Sequence, residues 1–127
     1  MPAKVADSSA IAAILFGEPT APLIFERLHG YSLVAPVLLI YELTNVCLKK
    51  IRAIPDERDR FLAGYEVWKE MGVDLVTVDF DGVLALAQRF DLTSYDASYL
   101  WLAQSLAVEL VTLDGRLARA AASLFRA

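Results

Sequence analysis

The sequence predicts an α/β fold in which a central, mainly parallel sheet of four or five strands lies between layers of helices. Short apolar runs rich in β-branched residues alternate with longer stretches that carry apolar side chains at helical spacing. This alternation is typical of a parallel sheet covered by helices. The 127 residues contain no repeat, low-complexity tract or linker. We therefore expect a single domain over residues 1–127.

Local signals define the elements of the first half. The predicted elements are a strand over residues 3–6, helices over 9–16 and 20–28, a strand over 32–35 and a helix over 36–51. Gly17 and Gly30 end the two short helices. Pro36 is predicted to open the long helix, because proline suits the first helical turn.

The second half continues the same alternation. The predicted elements are a helix from Pro55 to Gly72, a strand over 74–78, helices over 82–90 and 93–107, a strand over 109–113 and a last helix from Asp114. In open parallel sheets, sites form beyond the carboxyl ends of the strands. Asp7 and Asp114 each follow such an end, and neighbouring strands would bring them into one crevice.

Composition excludes several kinds of site. The single cysteine, Cys47, cannot form an intrachain disulfide, and we interpret it as a small buried side chain. His29 is the only histidine, so His or Cys metal clusters and a Ser-His-Asp triad are not expected. Hydrophobic residues make up 57% of the chain, which indicates a dense core together with apolar surface that a partner covers.

The sequence has no segment that predicts a membrane protein. The longest apolar run, residues 33–41, is too short to cross a bilayer and contains Pro36. The first residues lack the apolar stretch of a signal peptide. We therefore expect a cytoplasmic protein.

Four acidic residues are candidates for one site, and each has a structural alternative. Asp7 and Asp114 could each cap the helix that follows. Asp96 lies three residues after Thr93, which fits a capping box. Glu42 lies in a helix that reads as apolar nearly all round, where an unpaired charge would be costly. Its alternative is a structural ion pair.

A shared crevice gives these acids a chemical role. Four clustered carboxylates repel one another unless some are protonated or a cation lies between them. Oxygen ligands alone suit Mg²⁺, with Mn²⁺ as a plausible substitute. A metal held in this way can activate water for phosphodiester hydrolysis. The net charge of −4 equals the charge of the four carboxylates, so the remaining surface is not hostile to RNA.

Four motifs together resemble the PIN-domain family and, within it, the VapC-type toxins. They are Val5-Ala6-Asp7-Ser8-Ser9, Tyr41-Glu42-Leu43-Thr44-Asn45, Leu92-Thr93-Ser94-Tyr95-Asp96-Ala97-Ser98-Tyr99-Leu100 and Leu110-Val111-Thr112-Leu113-Asp114-Gly115-Arg116-Leu117. Each motif alone is weak, but their order and spacing across most of the chain are specific. The resemblance implies a three-layer α/β/α fold.

The resemblance also implies an activity and partners. It implies a Mg²⁺-dependent endoribonuclease, with Asp7, Glu42, Asp96 and Asp114 as catalytic and metal-binding residues. Supporting roles fall to Thr112, which is similar to the family's hydroxyl residue beside the last aspartate, and to Ser8 and Asn45. A VapB-like antitoxin would block the site, and the toxin would form a homodimer. Family members often end in a further short strand. The last residues here, Ser123-Leu124-Phe125-Arg126-Ala127, do not predict one, so the sequence does not decide whether a final edge strand forms.

A basic stretch raises the question of phosphate contacts. It consists of Lys49, Lys50, Arg52, Arg58 and Arg60. These side chains could bind RNA phosphates, but a solvated helix face is the simpler interpretation.

Two other functions compete with nuclease activity. Residues 78–84, Val-Asp-Phe-Asp-Gly-Val-Leu, look like the first motif of haloacid-dehalogenase-type phosphatases, in which Asp79 would attack phosphate and Asp81 would act as acid and base. That motif normally opens its fold, and no lysine follows Lys69 here. We therefore interpret Asp79 or Asp81 as a helix cap. The third hypothesis is a non-catalytic interaction module, which predicts damaged acidic positions, whereas all four are intact.

Overall fold

The structure is a computed structural model that describes residues 2–126. Within them lies one parallel sheet of four strands, in the order β3-β2-β1-β4. The strands are β1 Ala3–Ala6, β2 Ser32–Pro36, β3 Asp74–Val76 and β4 Leu110–Val111. This confirms the predicted α/β class and the smaller of the two predicted strand numbers.

Seven α-helices surround the sheet in the described range. They are α1 Ser8–Leu15, α2 Ala21–Leu28, α3 Leu38–Ala53, α4 Arg58–Glu70, α5 Phe80–Phe90, α6 Ser94–Leu106 and α7 Gly115–Arg126, with a 3-10 turn over Pro55–Glu57. Helices α1–α4 pack with one another, and α6 packs against both α5 and α7. These two groups fit the two helical layers that the sequence predicts.

Burial on both faces explains the apolar strands. Val5 and Ala6 of β1 are fully buried, and Leu33–Pro36 of β2 form an unbroken buried run. A strand covered on both faces has no need for polar residues at alternate positions. The buried faces of α1, α3 and α6 supply much of the covering, with Ile11, Leu39 and Leu100 fully buried.

The register of β1 brings two chain ends together. Ala6 pairs with Val111, and the backbone N–H of Asp7 donates to the carbonyl of Val111 over 3.2 Å. Because parallel strands end at the same edge of the sheet, Asp7 and the segment after β4 emerge side by side. The first and last strands are thus neighbours, which is the condition under which Asp7 and Asp114 were expected to share one crevice.

Pro36 differs from its prediction. It ends β2 opposite Val76 and does not open the long helix, which begins at Leu38. Proline has no N–H to donate, and a strand terminus tolerates this. Val37 supplies the next N–H and donates to the carbonyl of Val76 over 3.1 Å.

The last two strands are shorter than predicted. β3 ends at Val76 and β4 at Val111. In the segment after β4, Thr112 and the N–H of Leu113 bond to side chains across the edge of the sheet. The apolar runs therefore continue past the strand ends into the loops.

A buried lysine joins the opposite end of the sheet. Lys4 Nζ donates to the carbonyl of Arg27 over 2.7 Å and lies 3.2 Å from a carboxylate oxygen of Glu109. It also lies 3.8 Å from the ring centre of Tyr31. Charge pairing and cation–π contact together compensate its burial. These contacts link β1 to α2 and to the residue before β4.

The single cysteine and the single histidine both have structural positions in the fold. Cys47 is buried, and His29 occupies the C-cap of α2. Over residues 2–126, every helix is too short or too polar to cross a bilayer.

Gly64 allows two helices to approach closely. It is buried in the middle of α4, and a Cβ added there would overlap the carbonyl oxygen of Leu15 and lie 3.2 Å from Phe16 Cδ1. A backbone oxygen cannot rotate away as a side chain can. The contact between α4 and the end of α1 therefore depends on a residue without a side chain.

Gly64→Ala should lower the free energy of unfolding by about 1–3 kcal/mol, because α4 must move away from α1. Alanine otherwise favours a helix by up to about 1 kcal/mol over glycine. Ala63→Gly at the exposed neighbouring position measures helix propensity alone, and glycine there should lower the stability. If propensity alone acted at position 64, alanine there would raise the stability. Urea unfolding measures both effects. A Gly64→Ala variant as stable as the parent would contradict the close approach.

Candidate metal centre

Asp7 is the most buried acid of the site. It directly follows β1, and its side chain is only 4% exposed. Oδ1 accepts hydrogen bonds from Ser9 Oγ (2.6 Å) and from the N–H of Ala10 (3.1 Å), and Oδ2 accepts one from Thr112 Oγ1 (2.5 Å). Asp7 therefore caps α1, as the structural alternative predicted, and also faces the end of β4.

Two hydroxyl groups join α1 to the segment after β4. Thr112 Oγ1 donates to Asp7 and accepts from the backbone N–H of Asp114 over 3.0 Å. Ser9 Oγ donates to Asp7 and accepts from the N–H of Leu113 over 2.9 Å. The Thr112 hydroxyl therefore contacts the last aspartate, Asp114, at the backbone N–H of Asp114. The hydroxyl proton of Thr112 orients the Asp7 carboxylate.

Asp114 begins the last helix. Its Oδ1 accepts a hydrogen bond from the backbone N–H of Leu117 over 2.9 Å, which caps α7. The capping alternative is thus realised here as well. Asp114 is also exposed to solvent, so its carboxylate is accessible for another contact.

Glu42 approaches from α3 and is held by a tyrosine of α6. Tyr99, which is 1% exposed, donates its hydroxyl proton to Glu42 Oε1 over 2.6 Å. Glu42 itself is half-buried. The burial of α3 is one-sided, with Leu39, Leu43 and Cys47 inside. The sequence-based expectation of a helix apolar all round therefore overstated the burial of Glu42.

Asp96 lies in the first turn of α6. Its backbone N–H donates to Thr93 Oγ1 over 3.1 Å, which is one half of the predicted capping box. Its carboxylate is half-buried. Tyr99 follows three residues later on the same face of the helix. Asp96 and the tyrosine that holds Glu42 therefore point toward the same region.

The four carboxylates act on one another electrostatically. Burial raises the pKa of Asp7 above its usual range, and the nearby charge of Asp114 adds to that effect against the hydrogen bonds of Ser9 and Thr112. Burial likewise raises the pKa of Glu42, and Asp7 and Asp96 raise it further. The pKa of Asp96 is raised by burial, then by Asp114 and Asp7. Negative charge thus accumulates at one edge of the sheet.

No basic side chain neutralises this charge within residues 2–126. None of their Lys, Arg or His side chains forms an ion pair with Asp7, Glu42, Asp96 or Asp114. The structural ion pair considered for Glu42 is therefore absent from the described chain. Mutual repulsion without a cationic side chain leaves a place for an external cation.

The oxygen donors fit Mg²⁺, although the four carboxylates do not all lie within coordination distance of one point. In the described part of the chain, no three His, Cys, Asp or Glu side chains stand close enough to hold one ion together. Mg²⁺ commonly takes only one or two carboxylates and keeps several waters. Oxygen-only donors and uncompensated negative charge satisfy that requirement without a closed cage.

Comparison with known proteins assigns the family. A sequence profile of the PIN domain matches residues 4–123. The chain belongs to the PIN domain family. PIN domains are typically metal-dependent nucleases that act on RNA. A comparison with curated protein sequences finds no significant match.

A solved structure agrees with the fold of this PIN domain. The crystal structure of PAE2754 from Pyrobaculum aerophilum aligns with a TM-score of 0.74 and 24% sequence identity, over 98% of this chain and 93% of that one. At this identity the likeness shows the fold alone.

The two remaining predicted residues of the PIN site lie at its border. Ser8 is half-buried and faces Glu42, where it opposes the rise in the pKa of that carboxyl. Asn45 is exposed and shares with Glu42 the wall of an open cavity of about 580 Å³. Asn45 follows Glu42 by three residues on α3, and the shared cavity wall shows that the two lie on one face of the helix.

Sequence reasoning assigned no role to Ser9 and Tyr99. Both lie inside quoted motifs, two residues after Asp7 and three residues after Asp96. The helical spacing of Tyr99 from Asp96 was the signal that could have found it. Its partner Glu42 lies 57 positions earlier, so only the tertiary fold reveals the bond.

The phosphatase-like segment has a structural explanation. Asp79 precedes α5 and makes no capping hydrogen bond with its side chain, and Asp81 is exposed in the first turn. Asp79 therefore occupies the N-cap position of α5, as predicted for Asp79 or Asp81, but without a capping hydrogen bond from its side chain. A Cβ at Gly82 would overlap the indole of Trp101, so this glycine lets α5 pack against α6.

The basic stretch is largely a solvated helix face. Lys50 pairs with Glu18 at 3.4 Å, Arg60 with Glu57 at 2.5 Å and Arg58 with Asp59 at 3.8 Å. These charges are satisfied by neighbouring acids. They support the simpler of the two interpretations.

Thr112→Val should lower the free energy of unfolding by about 1–3 kcal/mol, because Asp7 loses a donor and the N–H of Asp114 loses its acceptor. Valine keeps the shape of threonine but not the hydroxyl. Thr112→Ser keeps the hydroxyl and should retain most of the stability. Urea unfolding without divalent ions measures both variants, and equal stability of the valine variant and the parent would contradict the assigned hydrogen bonds.

Glu42→Gln should raise the melting temperature without divalent ions, because it removes a repelling charge while Oε1 can still accept from Tyr99. The same change should reduce the further rise that millimolar Mg²⁺ or Mn²⁺ produces, since stabilisation follows binding to the native state. Glu70→Gln, an exposed change on α4, is the matched control and should alter neither value. A clear fall in the metal-free melting temperature of Glu42→Gln would contradict the repulsion.

Proposed function

We propose that this PIN domain is a Mg²⁺-dependent endoribonuclease and the toxin of a VapC-like toxin–antitoxin pair in the cytoplasm. One observation carries the nuclease assignment. Burial and the charges of neighbouring carboxylates, that of Asp114 among them, raise the pKa of Asp7, Glu42 and Asp96 at a single edge of the sheet, and no cationic side chain of the described residues pairs with these four acids. This arrangement supports a divalent metal site better than a purely structural role.

Asp7 and Asp96 are the proposed principal ligands, with Glu42 and Asp114 beside them. Their oxygen donors suit Mg²⁺ and accept Mn²⁺ in its place. When bound, the metal lowers the pKa of a coordinated water and neutralises charge on the phosphate. The hydroxyl groups of Ser9 and Thr112 keep the Asp7 carboxylate in one orientation, which a site of this kind requires.

Glu42 is suited to proton transfer. Tyr99 donates to its Oε1, and the Glu42 side chain lines the open cavity, where a water molecule can enter. Its raised pKa brings it closer to neutral pH, where a general base is most effective. Glu42 would take a proton from the water as the water oxygen bonds to phosphorus, while the bond from phosphorus to one ribose oxygen breaks and that oxygen leaves with a proton from solvent.

The partners follow from charge and apolar surface. An acidic crevice is complementary to a basic side chain, which is how a VapB-like antitoxin would block it. Several large apolar side chains are exposed, among them Leu23, Leu84 and Leu106, and a homodimer would cover part of this surface. Expression with and without the gene that neighbours this one tests the toxin role, and size-exclusion chromatography with light scattering tests the dimer.

Asp7→Asn and Asp96→Asn should each reduce RNA cleavage by roughly a hundredfold or more, because metal ligation supplies several kcal/mol to the transition state. Circular dichroism should show an intact fold. Mapping of the cleaved RNA ends in Mg²⁺ provides the measurement.

Asp79→Asn is the matched control and should cleave RNA like the parent, because Asp79 lies outside the carboxylate cluster. Undiminished cleavage by both Asp7→Asn and Asp96→Asn would contradict the proposed function. Loss of small phosphate-ester hydrolysis in Asp79→Asn would identify a phosphatase instead.

A further inference from the structure

A small apolar cavity lies next to the acidic edge of the sheet. It has a volume of about 240 Å³ and lies between the ends of β2 and β3 and the first turns of α5 and α6. Val37, Leu38, Val76, Phe80 and Tyr95 are among its lining residues, and we call it the aromatic pocket. Its two rings are unusually open to solvent, with Phe80 76% and Tyr95 60% exposed.

The aromatic pocket is continuous with the carboxylate site. Tyr95 directly precedes Asp96, and Leu38 and Tyr95 also line the open cavity that contains Glu42 and Asn45. Tyr41, which is 72% exposed, lines that second cavity. The aromatic pocket and the cavity of Glu42 therefore share two wall residues, Leu38 and Tyr95, and a molecule in one lies beside the other.

Size and charge restrict the occupant. No charged side chain lines the aromatic pocket, so a phosphate gains nothing there. The volume is below that of cavities that hold drug-sized ligands, roughly 300–1,000 Å³, which limits the pocket to about one ring system. Exposed aromatic rings beside a site for single-stranded RNA are the usual platforms for unstacked bases.

We propose that the aromatic pocket holds one nucleobase of the RNA, next to the phosphate that is cleaved. Phe80 and Tyr95 supply the ring surface on which the base stacks, and Val37 and Leu38 supply the apolar wall. The inference rests on the proposed nuclease function and specifies how the substrate is positioned there.

The pocket should select for the presence of a base more than for its identity. Ser98, the buried hydroxyl of the pocket, already donates to the carbonyl of Tyr95 over 2.6 Å. The other polar side chains of the lining are the hydroxyls of Thr77, Ser94 and Tyr95, so the pocket has no charged or amide side chain with which to read base edges in a bidentate manner. Stacking without such readout is tolerant of sequence, because every base has a π-face.

The test is a double-mutant cycle on single-stranded RNA. Abasic residues replace the nucleotides of a cleaved oligonucleotide one at a time, and kcat/KM is measured for the parent, Phe80→Ala and Tyr95→Ala. At one position beside the cleaved bond, loss of the base should reduce kcat/KM of the parent by roughly five- to a hundredfold. On intact RNA, kcat/KM of each variant should be lower than that of the parent by a similar factor. On RNA that lacks the base at that position, kcat/KM of each variant should be almost equal to that of the parent.

Phe25→Ala is the matched control. Phe25 is exposed on α2, where it stacks on His29 and lines a separate cavity with Leu33 and Met71. This variant should behave like the parent on every substrate. Tyr95→Phe keeps the ring and should retain most of the activity, which separates stacking from the hydroxyl group.

A binding measurement separates the inference from the proposed function. The same cycle is run by fluorescence anisotropy in Asp7→Asn with Mg²⁺. If loss of the base and loss of either ring lower RNA affinity in a non-additive way while the parent does not cleave RNA, the result would support the pocket and contradict the nuclease function. Cleavage that Phe80→Ala and Tyr95→Ala leave unchanged would overturn the pocket alone. Loss of association with a second copy or another protein, with RNA affinity intact, would also overturn it.

Discussion

The site depends on one buried carboxylate that is stabilised by dipoles and not by an opposite charge. Asp7 lies where β1 ends, and burial of an unpaired charge there would cost several kcal/mol. Hydrogen bonds from Ser9, Thr112 and the N–H of Ala10 offset part of this free energy of desolvation. The positive end of α1 contributes in the same direction. None of these donors cancels the charge, so Asp7 keeps its attraction for a cation.

The same contacts maintain the fold, so capping and metal binding are not alternatives. Asp7 caps α1 through Oδ1 while Oδ2 faces Thr112, and Asp114 caps α7 through one oxygen. A carboxylate has enough acceptor sites to serve both a helix terminus and a metal. The structural explanation of each acid therefore does not weaken the functional one. Repulsion within the cluster distinguishes this site from isolated helix caps.

Residues at strand ends could be predicted from the sequence, whereas contacts between layers could not. Asp7 and Asp114 follow from strand pattern and the parallel arrangement. The bond between Glu42 and Tyr99 joins α3 to α6, and no local signal specifies that pairing. Pro36 was assigned to a helix because proline suits both a first helical turn and a strand terminus. Gly82 suggested a phosphate motif, but its contact with Trp101 is a matter of helix packing.

The acidity of the chain constrains how it can hold RNA. With a net charge of −4, and with Lys50, Arg58 and Arg60 of its basic stretch paired with acids, the chain is a poor electrostatic match to the phosphates of RNA. In the proposed function, affinity comes from the divalent cation and from stacking of bases. Both are short-range and lie at the same edge of the sheet. Stacking also requires unpaired bases, because a duplex keeps its ring faces inside. The exposed rings and the acidic cluster thus favour the same substrate, a single strand or a loop.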